Sequence, residues 1–206
     1  MSLKKHLLVA CGAIVMPFIA MHAGDVNIAL RKPVVASSQQ KDFPASNVTD
    51  GVVSRQSTWM SGKDSRPPHT LELNLERYYD INRIVIHTGI PEAERTEQEK
   101  GKAPGFWSMK NFKIQYWDDA NWTDLPDTER TENRLDKLGF TFNPQLTTFR
   151  IRLVATDGEP IAVNEFEVYG EEKKGMPVPV TVGEVSVVDD KDCLLYTSPS
   201  PRDTER

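Results

Sequence analysis

Asp50, in the stretch NVTDG over Asn47 to Gly51, and Glu165, in NEFEVYG over Asn164 to Gly170, are the two carboxylates whose settings suggest chemistry. Each lies beside tight-turn or strand residues, so a fold that joined them could hold a hard cation between them. Alone, neither stretch is specific, and the plain alternative for Asp50 is a turn aspartate preceding glycine. Ser/His/Asp, Cys/His and HExxH arrangements are absent as recognisable motifs, as are Gly-rich phosphate loops. Carboxylates are numerous enough that counting alone leaves room for a glycosidase pair. Glu92, Glu94, Glu97 and Glu99, however, lie in a polar stretch without the hydrophobic surroundings that raise a general acid's pKa. No catalysis is expected from these residues.

The elements that must position the two carboxylates read mostly as strands. Thr70 to Leu75 (TLELNL) and Phe112 to Trp117 (FKIQYW) alternate apolar with polar. Ile81 to His87, Phe149 to Val154 and Val163 to Tyr169 are short and rich in β-branched or aromatic residues. Breakers separate them at Pro67-Pro68, Gly89 to Pro91, Asp118 to Asn121, Asn143-Pro144 and Asp157 to Pro160. With no long helical pattern to cover a parallel sheet, the expected fold is all-β, an antiparallel β-sandwich. Pro91 to Lys102 has good helix formers but almost nothing apolar, and reads as a solvated loop with at most one helical turn.

The ends belong to other categories. Lys4, Lys5 and His6 precede an apolar run from Leu7 to Ala20, shorter than the roughly 20 residues of a membrane-spanning helix, and small residues follow at Ala23 and Gly24. Residues 1–23 therefore read as a secretory signal peptide, and the protein as exported to the periplasm, cell surface or medium. A rival reading takes Leu8 to Cys11 as a lipobox, although only about four apolar residues precede Cys11 and the run continues past it. Residues 25–170 then form one domain. Residues 171–192 are a charged, Gly- and Pro-bearing linker leading into alternating valines, the expected start of a truncated second module. Cys193 to Asp203 (CLLYTSPSPRD) resembles the in-frame translation of a transposon-type sequencing adapter, so residues 193–206 read as read-through and the natural chain is expected to continue beyond Asp192; the alternative is a Pro/Ser-rich tail. With Cys11 in the signal and Cys193 in the tail, the domain holds no cysteine for disulfides or metal. The net charge of -5, without a basic stripe, argues against nucleic acid as a partner. Asn47 and Asn121 stand in glycosylation sequons, which matter only in a eukaryotic secretory pathway; the signal favours a bacterial source.

The order of motifs resembles a known family. NIALRKPVVASS is similar to the first strand of the discoidin, or coagulation factor 5/8 type C, domains. NVTDG with Trp59 resembles their turn and tryptophan, and PPHTLELNL their Pro-rich approach to the next strand. DDANW over Asp118 to Trp122 stands where the family has a hairpin followed by Trp, FRIRLV resembles the penultimate strand and NEFEVYG the closing one. Within the family the chain resembles bacterial family 32 carbohydrate-binding modules and the N-terminal domain of galactose oxidase. The resemblance implies an eight-stranded, galactose-binding-like jelly roll. It also implies a structural cation, usually Ca²⁺, held by oxygen ligands at about 2.3 to 2.6 Å. Carried over by position, Asp50 and Glu165 supply carboxylates, Asn47, Val52 and Asn164 backbone carbonyls, and Ser57 its carbonyl or hydroxyl. Such an ion would tie the first loop to the last strand, apart from any ligand.

Family 32 modules bind terminal sugars with loops at one end of the sandwich, an aromatic face lying against the pyranose and a few polar side chains fixing hydroxyls. The resemblance thus points to His87, Arg95, Trp107 and Asn111 as ligand-binding residues. Each has a plainer alternative: Trp107 as a cap on the sandwich, His87 as a strand-edge residue, Arg95 as part of a solvated charge run. Trp59, Trp117 and Trp122 read as packing or cross-strand residues. The expected function is a non-catalytic, monomeric carbohydrate-binding module that holds an attached glycan-active enzyme near terminal sugars. The alternatives are an adhesion or protein-interaction module, and an anionic-lipid-binding domain using Gly105-Phe106-Trp107 as an apolar tip, which the acidic balance opposes.

Overall fold

The computed structural model describes residues 26–100 and 107–179. The expected signal peptide with Cys11, the tail from Cys193 and residues 180–192 lie outside them. Among the described residues seven strands follow in order: β1 (Val34–Ala36), β2 (Trp59–Met60), β3 (His69–Thr88), β4 (Phe112–Trp117), β5 (Trp122–Asp124), β6 (Lys137–Ala155) and β7 (Ala162–Glu172). Every pairing between them is antiparallel. The expected all-β sandwich is what the chain forms.

The sandwich arises from two long strands that serve both sheets. The first part of β3, from His69 to Asn74, pairs with β1 and with the end of β6, which in turn pairs with β4, itself paired to β5. Past a register break between Asn74 and Tyr79, β3 pairs instead with the start of β6 and with β7, which carries β2. Thr70 to Leu75 and Ile81 to His87, separate strands in the sequence pattern, are therefore the two halves of β3. Glu76 sits at the break with a φ of 65°.

Lys137 to Phe142, the first half of β6, escaped the sequence reading because Asn143-Pro144 looks like a terminator. Pro144 lies between Thr141 and Leu146, where the ladder to β3 is interrupted, so its missing N–H removes no ladder bond. As expected of cross-strand residues, Trp122 pairs with Trp117 across the β4–β5 hairpin with ring centroids 5.5 Å apart.

Alternation along the strands supplies the core. Leu71, Leu73, Ile114, Ile151 and Leu153 come from one sheet and Ile84, Ile86, Phe166 and Val168 from the other, all in one buried cluster. Each such side chain contributes about 1.5 to 3 kcal/mol on leaving water. Trp59 is wholly buried in the same cluster, and its indole N–H donates to the Ser38 carbonyl at 3.0 Å.

Because β3 and β6 both turn back at mid-length, their two ends return to one pole. There His69 and Phe112 both pair with Ala155, and the Met109 N–H donates to Thr88 Oγ1 at 3.0 Å. At the opposite pole Asn27 bridges to Tyr169, and the Lys173 N–H donates to the Tyr78 carbonyl at 2.8 Å. The chain thus enters and leaves the domain together, away from the long loops.

Candidate functional site

Two features converge near the looped pole, and the first is built on Asp50 and Glu165. A 3-10 turn over Ala45–Thr49 ends on Asp50, and Gly51 follows at a φ of 84°, a conformation that side-chain-bearing residues rarely adopt. A Cβ there would also stand 3.0 Å from Leu30 Cδ1. The turn aims the Gly51 N–H at Glu165 Oε2, 3.2 Å away, so the first loop meets the last strand as expected. Asp50 Oδ1 accepts the Val52 N–H at 2.8 Å, and its Oδ2 accepts the Ser57 hydroxyl. Asn47 and Asn164 brace the loop by donating side-chain amides to the carbonyls of Thr58 and Ser54, each at 3.0 Å.

Glu165 is 1% exposed, and its Oε1 is buried with no hydrogen-bond partner among the described residues. Burial raises its carboxyl to about 7; the Gly51 N–H opposes the rise, while the charges of Asp50 and Glu167 reinforce it. A buried carboxylate oxygen without a partner, beside a second carboxylate and a hydroxyl, fits a hard cation. Among the described residues no group of three or more His, Cys, Asp and Glu could hold a metal, so an ion here must draw its remaining ligands from backbone carbonyls and hydroxyls. That is the chemistry expected of Asn47, Val52, Asn164 and Ser57. Val52 itself is 47% exposed.

The second feature is a cavity of about 470 Å³ between the β2–β7 edge and the surrounding loops. Phe43, Met60, Ile90, Trp107 and Pro160 give it apolar walls, and Gln40, Arg55, Thr58, Lys63 and Asn164 give it polar groups. Gln40 anchors one side by donating its amide to the Ser61 carbonyl at 3.0 Å. Trp107 holds a φ of 60° and is 39% exposed. Its carbonyl accepts the Ala162 N–H at 2.8 Å, and the Ser108 hydroxyl after it donates to Asp136 Oδ1 at 2.6 Å. A non-glycine residue in the left-handed region costs about 1 to 2 kcal/mol, so the anchoring around Trp107 keeps an unfavourable backbone in place.

Of the four ligand residues expected from the sequence, Trp107 lines this cavity. His87 lies on β3, its Nε2 3.3 Å from Glu167 Oε1, and burial lowers its pKa while Glu167 counteracts. Arg95 lies beneath the surface, its side chain 6% exposed, donating Nε–H to the Ile90 carbonyl at 3.0 Å and pairing with Asp136. Asn111 donates its amide to Asp157 Oδ1 at 3.1 Å and accepts the Glu132 N–H at 3.2 Å. Arg95 and Asn111 thus hold loops in position, while the remaining cavity residues come from several loops and from β2 and β7, with no spacing that would have joined them in the sequence.

The two features share walls. Thr58 and Asn164 line the cavity, whereas their chain neighbours Ser57 and Glu165 belong to the carboxylate cluster. The cluster therefore stands directly behind the cavity, closer to it than the sequence suggested.

The F5/8 type C domain family matches residues 33–168. No curated protein matches the chain. Among solved structures, the family 32 carbohydrate-binding module of C. perfringens NanJ in complex with galactose is 20% identical, with a TM-score of 0.53 over 68% of this chain and 93% of that one. A Streptococcus pneumoniae fucose-binding module is 18% identical, with a TM-score of 0.56 over 73% and 99%. Chitosan-binding module 1 of a Paenibacillus sp. IK-5 chitosanase/glucanase is 25% identical, with a TM-score of 0.54 over 70% and 99%.

Proposed function

The chain belongs to the F5/8 type C domain family, and from that premise we propose that it is a non-catalytic carbohydrate-binding module of an exported bacterial protein, targeting an attached glycan-active enzyme to terminal sugars. The observation that carries this reading is the cavity at the looped pole, with an exposed Trp107 on an anchored backbone beside amide and cationic groups. An indole face can cover the apolar side of a pyranose while Gln40, Asn164 and Thr58 meet its hydroxyls. Arg95 and Asn111 act as positioning residues for the loops around it, whereas His87 stays on β3 beside Glu167 of β7. The galactose, fucose and chitosan named for the similar structures support a saccharide as the ligand class.

Ca²⁺ is the structural ion of this reading, held by Asp50 and Glu165 with Ser57 and the carbonyls of Asn47, Val52 and Asn164. When bound it supplies only charge and oxygen coordination, closing the first loop onto β7 and steadying the wall formed by Thr58 and Asn164. Titration calorimetry against galactose-, fucose- and glucosamine-terminated oligosaccharides tests the function. Trp107→Ala should abolish binding while leaving the unfolding midpoint within about 2 °C of wild type. Equal saccharide affinity in that variant, or no affinity of the wild type for any glycan, would rule the reading out.

A further inference from the structure

The charges facing the cavity narrow its ligand further, provided that the cavity is the sugar site. Two of its lining residues, Arg55 and Lys63, are cations, and none is a carboxylate, although the chain as a whole carries a net charge of -5. Arg55 is already engaged: Nη1 and Nη2 donate to the two oxygens of Glu99 at 3.1 and 3.2 Å, and its backbone N–H donates to Glu94 Oε2 at 2.7 Å. Lys63 is exposed and makes no ion pair or side-chain hydrogen bond with any described residue. Its neighbour Asp64 does not line the cavity. An ammonium that makes no ion pair with a described residue, beside a mostly apolar cavity whose lining residues include no acidic group, repels amino sugars and attracts anions.

We propose that this cavity selects an acidic saccharide, a hexuronate whose carboxylate pairs with Lys63 while its ring lies against Trp107. Phe43, Met60 and Ile90 exclude water from the ring, and Arg55, locked by Glu99, serves as a wall rather than as the anion contact. A cationic polymer such as chitosan is disfavoured by the same arrangement, in contrast to the ligand of the Paenibacillus module.

The test is calorimetry on the full chain with oligogalacturonate and with the neutral galacto-oligosaccharide of equal length, at low and high salt. A charge-assisted contact should make the uronate bind roughly tenfold more tightly. That preference should vanish in Lys63→Met and fade at high salt, while Trp107→Ala loses both ligands. Equal affinities, or a preference undiminished in Lys63→Met, would overturn acid selectivity and leave the sugar site standing. Absence of any saccharide binding would overturn both. Tighter binding of glucosamine oligomers overturns the proposal, as does Lys63-dependent binding to phosphatidylserine vesicles without uronate binding, which assigns the cation to a lipid headgroup.

Discussion

The Gly51 N–H and the Glu165 carboxylate meet across 3.2 Å although 114 positions separate them in the chain. That bond satisfies one oxygen of a buried carboxylate and leaves the other without a donor among the described residues. The loop before β2 and the start of β7 are consequently joined by a group whose charge is only half accommodated by the protein.

A divalent cation completes that accommodation. Millimolar Ca²⁺ should raise the thermal midpoint by about 5 °C over the chelated protein, the shift expected when ligand is near 100 times its Kd. Asp50→Ala should show no such shift. Because Thr58 and Asn164 share backbone with the cluster, chelation should also weaken saccharide binding several-fold. Scanning fluorimetry with and without chelator decides the first point; an unshifted wild type, or an undiminished shift in Asp50→Ala, removes the ion from the account.

The same carboxylate sets a pH dependence. Its folded pKa is raised from 4.5 to about 7, chiefly by burial. Between those values the folded chain retains a proton that the unfolded chain has released, so stability falls as pH rises through the window and levels off above it. The full span corresponds to about 3 kcal/mol. In chelator, the stability difference between wild type and Glu165→Gln should therefore change by that order between about pH 4.5 and about pH 7. Saturating Ca²⁺ should suppress the wild-type decline, since the ion replaces the proton. A difference that is flat with pH in chelator would contradict this account.

Arg95 braces the loop that presents Trp107. Its guanidinium is bonded to the Ile90 carbonyl and to Asp136, which also receives the Ser108 hydroxyl. Arg95→Ala should lower stability by about 2 kcal/mol, and Arg95→Lys by less, because a lysine retains the charge without the planar fork. Saccharide affinity should follow the loss of loop order, visible as increased amide exchange at Ile90 and Trp107. Affinity lost with exchange unchanged would instead make Arg95 a direct contact.

Gly170 closes the NEFEVYG stretch for a steric reason. A Cβ at this position would lie 2.4 Å from the Asp80 carbonyl oxygen and 2.9 Å from Ile81 Cα, both backbone atoms of the adjacent strand. Gly170→Ala should cost about 3 kcal/mol or more, measured by urea unfolding. A loss below about 1 kcal/mol would mean that β7 can move away from β3 without penalty.

The sandwich was legible because apolar alternation at Thr70 to Leu75, Phe112 to Trp117 and Phe149 to Val154 reports the two-residue period of a half-buried strand. Strand continuity was not legible: Pro144 resembles a terminator, yet it falls in a local break of the β3–β6 ladder between Thr141 and Leu146, and Glu76, at positive φ where β3 passes from one sheet to the other, carries no signal in the sequence. The meeting of Asp50 with Glu165 followed from motif order. The cavity did not, because Phe43, Lys63 and Pro160 come from loops and Met60 from β2, which only the tertiary fold assembles. Arg95 looked like a member of a solvated charge run, and only the position of Asp136 accounts for its burial.

The pairing of Asn27 with Tyr169 governs how this domain bears load. A pull applied through its two ends passes across the Ile28 to Val168 and Lys173 to Tyr78 bonds at a single pole. The loops around Trp107 lie outside that path. A tether under tension would therefore peel the junction of the ends before it distorted the cavity, and a bound ligand could stay seated while the linker is stretched.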